Sequence, residues 1–379
     1  MKYISTSLFL CLFALTSFAQ RFDIKITVDS EERFFIVSKP SGTPPPGGYP
    51  LVFMFHGSSG DGEKFYNISG WKEKGEEEKI ITVFPSSLEW CIIDSGKQKR
   101  TTKWVNGDLL SVACPGQTFK DDVHFVRVML DTIAATIPID RSRVYGTGFS
   151  NGGCFTAKLA VEASDIFAAI ATASGPMVET DSGTPKRMIP IVYSIGTMDD
   201  RFYTAVGLPE IPFNDSGLYY AGFNIKRFLG CLGLNEEYTK DSTALFLSYN
   251  FKTLAATASW EFNYILFKGL SHQYPNGINY PATAANFLWD FFQKYRIPSA
   301  VERAPANKHI TLWPNPAGRF VTVEGNAKSF ILRSLYGTTV FESPVFDYKR
   351  IELPQLTSGI YFAEIETAEG VYHEKLIIE

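Results

Sequence analysis

GTGFSNGG, residues Gly146 to Gly153, places one serine among four glycines directly after the apolar run RVY. A plain turn needs one glycine or two. Four mark a sharp backbone bend that another group approaches closely. The inner residues Gly148-Phe149-Ser150-Asn151-Gly152 fit G-x-S-x-G. RVYGTGF (143–149) reads as a strand before them, and GCFTAKLAVEA (153–163) reads as a helix after them. That strand–turn–helix setting lifts a serine hydroxyl clear of the end of a sheet. A glycine-rich turn with an incidental serine has the same letters, so the surrounding elements have to decide.

Outward from this turn the chain alternates strands and helices. LVFMF (51–55), IITVF (80–84), FAAIATA (167–173) and IPIVYSI (189–195) are continuous apolar runs, the pattern of strands buried on both faces. DDVHFVRVMLDTIAATI (121–137) puts Val123, Val126, Leu130, Ile133 and Ile137 on one helical face, with Asp121 and Asp122 at the end where acidic residues suit a helix dipole. FDIKITVD and RFFIVSK, between residues 22 and 39, alternate as an antiparallel pair at a sheet edge. WEFNYILF (260–267) and AANFLWDFFQKY (284–295) read as the last strand and last helix. The expected fold is α/β: a doubly wound, mostly parallel sheet covered on both sides, spanning 20–297.

Composition shifts at RIPSAVERAPANKH (296–309), which has prolines, small residues and no periodicity. Residues 298–309 read as a linker. From 310 to 379 come short alternating runs with no helical pattern, which predict a small β-sandwich. At the other end Lys2, the apolar LFLCLFAL and then SFAQ, with Ser17 and Ala19 as small residues at a cleavage site, read as a secretory signal peptide over 1–19. The apolar run is too short for a membrane span, and no later segment is long enough. A net charge of −4 without a basic block argues against a nucleic-acid partner.

Export bears on the cysteines. Without Cys11 there remain Cys91, Cys114, Cys154 and Cys231. An even number outside the cytosol permits disulfides. Cys91 and Cys114 bracket a polar loop and are the first pair to expect. Free buried thiols are the alternative, above all for Cys154. No C-x-x-C pair exists, so neither a metal nor a redox cofactor is expected.

A serine hydroxyl needs a base. The first domain has three histidines. His124 lies on the amphipathic helix and reads as a packed or surface residue. His56 ends a buried strand and reads as a loop-shaping residue. His272, in KGLSHQYPNG, follows the C-terminal end of a strand, where a parallel sheet presents its chemistry. It also gives the order Ser, acid, His. The acid belongs at the end of IPIVYSIGTMDD: Asp199 first, Asp200 second. A carboxylate there holds the imidazole in one tautomer. A solvated loop charge or a helix cap is the plainer reading of either. For a developing oxyanion the backbone N–H of Asn151 is one donor, and the N–H of Ser58, in HGSSG (56–60), is the other.

HGSSGDG, DDVHFVR, YGTGFSNGG, GTMD and SHQYPNG, in that order, resemble the secreted polyhydroxybutyrate depolymerase and feruloyl esterase group of the α/β-hydrolases, within carbohydrate esterase family one. The resemblance runs over roughly residues 25 to 297. It implies Ser150 as nucleophile, Asp199 as acid and His272 as base, in a cofactor-free serine carboxylesterase acting on feruloyl or acetyl esters of plant polysaccharide. Polyhydroxyalkanoate is the second substrate, and a non-catalytic polysaccharide-binding module is the alternative of a different class. Ile195 stands where the group often has histidine, and Tyr274 where it often has tryptophan. The tail, through ITLWPNPAGRFVTVEG, SLYGTTVF with Gly337, LPQLTSGIYFAEIET to Tyr361, and KLIIE, resembles the C-terminal sorting domain of type IX secretion. That implies the type IX machinery as a partner and a location outside the cell or on its surface. A permanent carbohydrate-binding sandwich is the alternative.

Overall fold

The computed structural model describes residues 19–204, 207–252, 260–298, 311–324, 327–334, 338–344, 350–367 and 371–379. The expected signal peptide before Ala19, the expected linker after Pro298 and Gly337 lie outside these residues. The chain divides into two compact units, Met1–Ser299 and Ala300–Glu379.

In chain order the first unit has β1 (Gln20–Val28), β2 (Glu31–Lys39), β3 (Tyr49–Phe55), α1 (Gly62–Ile68), α2 (Trp71–Glu78), β4 (Ile81–Pro85), β5 (Glu89–Asp94) and β6 (Lys97–Thr102). Then come α3 (Gly107–Leu110), α4 (Asp122–Ala134), β7 (Ile139–Phe149), α5 (Asn151–Glu162), β8 (Ala169–Ala173), β9 (Ile191–Met198), α6 (Asp200–Tyr203) and α7 (Asp215–Leu232). It closes with β10 (Tyr238–Ser242), β11 (Phe246–Lys252), β12 (Glu261–Ser271) and α8 (Ala284–Phe292).

One sheet runs in the order β1-β2-β4-β3-β7-β8-β9-β12-β11-β10. Its centre, β4 to β12, is parallel, and the strands flanking it on each side are antiparallel. The period of two along β3 divides its side chains between two cores. Leu51, Phe53 and Phe55 pack with α4, α5 and α7 on one face, while Val52 and Met54 pack with α1, α2 and α8 on the other. Both faces are therefore covered, as continuous apolar strands require. This is the doubly wound, mostly parallel arrangement expected of an α/β-hydrolase. β1 and β2 form the expected edge hairpin, turning through Asp29 and Ser30, both at positive φ.

Asp121 caps α4, accepting from the N–H groups of Val123 and His124. Asp122 does something the sequence did not indicate. Its side chain is 1% exposed and paired with Arg33 at 2.6 Å, and its second oxygen accepts the Val105 N–H at 2.8 Å. Removing one partner of such a pair leaves a buried charge unmatched, at a cost of about 3–5 kcal/mol.

Several parts of this unit were not predicted, among them the polar hairpin β5–β6, the helix α7, and the antiparallel strands β10 and β11. β6 and β10 are polar, whereas α7 buries Ala221, Ile225, Phe228, Leu229 and Leu232 on one helical face and β11 alternates through Leu247, Tyr249 and Phe251. β5–β6 is held from outside the hairpin by the expected Cys91–Cys114 disulfide. Cys154 and Cys231 are free and buried.

The second unit contains β13 (Thr311–Trp313), β14 (Phe320–Glu324), β15 (Ala327–Arg333), β16 (Thr339–Pro344), β17 (Arg350–Glu352), β18 (Gly359–Thr367) and β19 (Val371–Ile378). They make a sheet β13-β14-β17 and a sheet β16-β15-β18-β19, with antiparallel pairing throughout. Val321, Val323, Phe330, Leu332, Ile351, Tyr361, Ala363, Ile365, Leu376 and Ile378 form its own apolar core.

Candidate active site

Ser150 stands between the end of β7 and the start of α5 with φ 54° and ψ −122°. A non-glycine residue there stores strain that its surroundings must hold in place. They do so by close backbone approach. The Ser150 N–H donates to the Ala173 carbonyl at 2.8 Å. A Cβ on Gly148 would lie 2.2 Å from the Gly152 carbonyl oxygen, and one on Gly152 would lie 2.3 Å from that of His56. A Cβ on Gly175 would lie 2.3 Å from the Ser150 carbonyl oxygen. The glycines are there because helix, strand and loop backbones meet at this point.

Two further strand ends converge on the serine. His272 directly follows β12, and its Nε2 lies 2.9 Å from Ser150 Oγ. Its Nδ1 lies 3.0 Å from both carboxylate oxygens of Asp199, which follows β9 and is 1% exposed. A carboxylate only accepts, so Nδ1 carries the proton and Nε2 is left to accept from the serine hydroxyl. Asp200, the second choice for the acid, is exposed and opens α6. The His272 ring lies tilted against the Phe149 ring, with their centres 4.9 Å apart.

The other two histidines do other work. His124 is exposed and pairs with Asp29 at 3.2 Å. His56 is fully buried. Its Nδ1–H donates to the Gly57 carbonyl at 2.7 Å, and its Nε2 accepts the Ser87 N–H at 3.0 Å. Both partners fix the neutral tautomer, and burial pushes the imidazole down to about 4.

Ser58, Ser150, Asn151, Asp199 and His272 line one open cavity of about 360 Å³, together with Lys103, Asp108, Cys154, Ile195 and Phe202. Neither the Ser58 nor the Asn151 backbone N–H meets a carbonyl among the described residues. Ile195 is in this wall. Tyr274 is not: it is buried, and its hydroxyl takes the Trp71 indole N–H at 2.9 Å. Burial pushes the Cys154 thiol well above its ordinary value, so it is no thiolate rival to Ser150. A larger groove, about 490 Å³, runs along α7 past Tyr219, Phe223 and Tyr238. It has no serine or cysteine beside a base in its lining, so chemistry and not volume selects the smaller cavity. Among the described residues no cluster of histidine, cysteine and acidic side chains could hold a metal, and no helix is long and apolar enough to cross a membrane.

The sequence did not reveal how firmly one segment, Thr101–Asp108, grips this site. Thr102 accepts the Ser59 N–H at 3.0 Å through its carbonyl and donates to the Gly60 carbonyl at 2.6 Å through its hydroxyl. The Trp104 indole donates to the His56 carbonyl at 3.0 Å, and the Trp104 backbone N–H donates to Asn151 Oδ1 at 2.7 Å. Asn106 Nδ2 donates to the Asn151 carbonyl at 2.9 Å. Asn151 Nδ2 donates to Asp108 Oδ2 at 2.9 Å, and that oxygen also takes Lys103 Nζ at 2.6 Å. The segment is short, polar and aperiodic, so no pattern in it could have pointed to these contacts.

Residues 311–379 match the family model described as "Secretion system C-terminal sorting domain". Among curated proteins, the chain is 31% identical over 137 residues to "Poly(3-hydroxyalkanoate) depolymerase C" of Paucimonas lemoignei, covering 36% of this chain and 30% of that one. It is 26% identical over 183 residues to "Feruloyl esterase B" of Piromyces equi, covering 47% and 31%. It is 26% identical over 221 residues to "Poly(3-hydroxyoctanoate) depolymerase" of Pseudomonas fluorescens, covering 55% and 75%. The chain thus spans less than a third of the length of the first two. Among solved structures, "Acetyl xylan esterase from Aspergillus awamori" superposes with a TM-score of 0.48 at 14% identity, covering 73% of this chain and 99% of that one.

Proposed function

We propose that this chain is an exported serine carboxylesterase. One observation carries the reading: Ser150, His272 and Asp199, brought from three separate strand ends, stand in a single hydrogen-bonded line at an open cavity. Ser150 Oγ attacks the ester carbonyl while its proton passes to His272 Nε2. Asp199 holds the imidazole tautomer and balances the charge it gains. The N–H groups of Ser58 and Asn151 face the oxygen that becomes negative. The tetrahedral intermediate collapses, His272 gives its proton to the departing alcohol, and an acyl-serine remains. Water then attacks that acyl group, again losing its proton to His272. A second collapse releases the acid and restores Ser150. The scheme needs no group besides water and the ester.

The substrates we assign are feruloyl or acetyl esters on plant polysaccharide. Likeness to feruloyl esterase B supports them, and likeness to two polyester depolymerases makes polyhydroxyalkanoate the other outcome. We assign the tail to type IX export, which its match to a sorting-domain model supports. Methyl ferulate, acetylated xylan and polyhydroxybutyrate, offered in parallel to the chain and to Ser150→Ala, test both levels. Ester cleavage that survives unchanged in Ser150→Ala removes the mechanism. Clearing of the polyester without release of ferulate or acetate reverses the substrate.

A further inference from the structure

The donor that follows the nucleophile is held by its own side chain. Asn151 is 2% exposed, and its side-chain oxygen, side-chain nitrogen and carbonyl are each engaged by Trp104–Asp108. The orientation of its amide is not arbitrary. The Trp104 backbone N–H can only donate, so it must face Oδ1, and Nδ2 is thereby turned to Asp108 Oδ2 at 2.9 Å, with Asn106 Oδ1 at 3.2 Å as a second, neutral acceptor. Asp108 Oδ2 is a charged acceptor and makes the stronger kind of hydrogen bond. Lys103, whose side chain is 9% exposed in the cavity wall, supplies the matching cation on the same oxygen.

We propose that Asp108, with Lys103 as its counter-ion, is a positioning residue for ester hydrolysis. It fixes the Asn151 side chain, and so sets the direction in which the Asn151 backbone N–H points. The proposal rests on the esterase reading above. A ground-state carbonyl makes little use of that N–H, whereas the tetrahedral oxyanion depends on it. The same segment grips Ser59 and Gly60, so a loosened Asp108 disturbs one donor and leaves the Ser58 side braced through Thr102. Lys103 and Asp108 do not themselves touch the reacting atoms in this scheme.

The test compares Asp108→Ala, Asp108→Asn and Lys103→Met with the unaltered chain on p-nitrophenyl acetate. Rates are counted per serine titrated by a fluorophosphonate, so that misfolded molecules drop out. Asp108→Ala is expected to lower kcat by about 10- to 100-fold with KM within about threefold, since an ångström of misplacement costs about that much. Affinity for an alkyl boronic acid, which becomes tetrahedral on the serine, is expected to fall by a similar factor. Asp108→Asn keeps an acceptor oxygen for Asn151 and is expected to recover most of the loss. Lys103→Met is expected to fall between the two. An Asp108→Ala variant with unchanged kcat and boronate affinity per titrated serine overturns the proposal. So does a loss that appears in KM alone, or one that Asp108→Asn shares in full. If the unaltered chain neither hydrolyses the ester nor takes the fluorophosphonate, the esterase reading fails and this proposal falls with it.

Discussion

The two units bury different things. The tail unit buries an almost wholly apolar set between two antiparallel sheets, with neighbouring strands often joined in sequence. The first unit also has large apolar cores, but it adds His56, Asn106, Asp122, Asn151, Asp181 and Asp199 to its interior. Buried polar groups are destabilising unless matched, so a fold keeps them only with partners in place. Here those partners converge on one end of the parallel strands. The difference separates a unit that gathers matched polar groups into its interior from one whose described core is almost wholly apolar.

The largest expected effect tests the polar side of that contrast. Asp199→Asn keeps the shape but removes the charge and turns one of the two accepting oxygens beside His272 into a donating NH2, so the tautomer with the proton on Nδ1 is no longer fixed. It should lower kcat for p-nitrophenyl acetate by about 10³–10⁴-fold, with little change in Tm. Asp200→Asn, on the exposed neighbour, should stay within about threefold. Equal losses in the two variants would place the acid in a shared charge and not in one side chain.

A smaller effect comes from His56. Its folded value of about 4 lies below the ordinary 6.5, so as pH falls the unfolded chain takes up the proton first. The stability this residue contributes is complete above about pH 6.5 and is lost as pH falls toward 4. The loss amounts to about 3 kcal/mol at most. Tm measured between pH 7 and 4 on the first unit should show this decline. His56→Gln, which cannot gain the proton, should flatten it. An unchanged slope in that variant would assign the acid sensitivity to other groups.

The smallest expected effect is on the other side of the comparison. A chain ending at Ile297 should hydrolyse small esters with kcat/KM within about twofold of the full chain, because neither the cavity nor the two large cores includes a tail residue. The aperiodic stretch after Pro298 should be the first place a protease cuts. A large loss of activity on truncation would mean that the units are not independent. In the native host, retention of the truncated enzyme in the periplasm would tie the tail to export.

The α/β architecture was legible because the apolar runs are short enough for strands and are bounded by turn residues, while the 121–137 segment between two of them has a helical period. The relation of Ser150 to Asp199 and His272 was legible from chain order and from where strands end. Asp199 and Asp200 are neighbours in sequence, and only the end of β9 tells them apart, by burying one and exposing the other. The β5–β6 hairpin and the gripping segment 101–108 were not legible. Their role depends on long-range contacts, such as Asn151 with Asp108, that leave no periodic trace. Asp122 is the clearest case. As a residue near a helix start it looked like a dipole partner, yet it is a buried link between Arg33 and the Val105 backbone.

The close meeting of backbones at Ser150 has a practical meaning for anyone diversifying this scaffold. Randomising Gly148, Gly152 or Gly175 spends library members on variants that have no room for even one methyl group. Ile195, Val178 and Phe202 face the same cavity without holding the turn, so their codons are where selection has room to act.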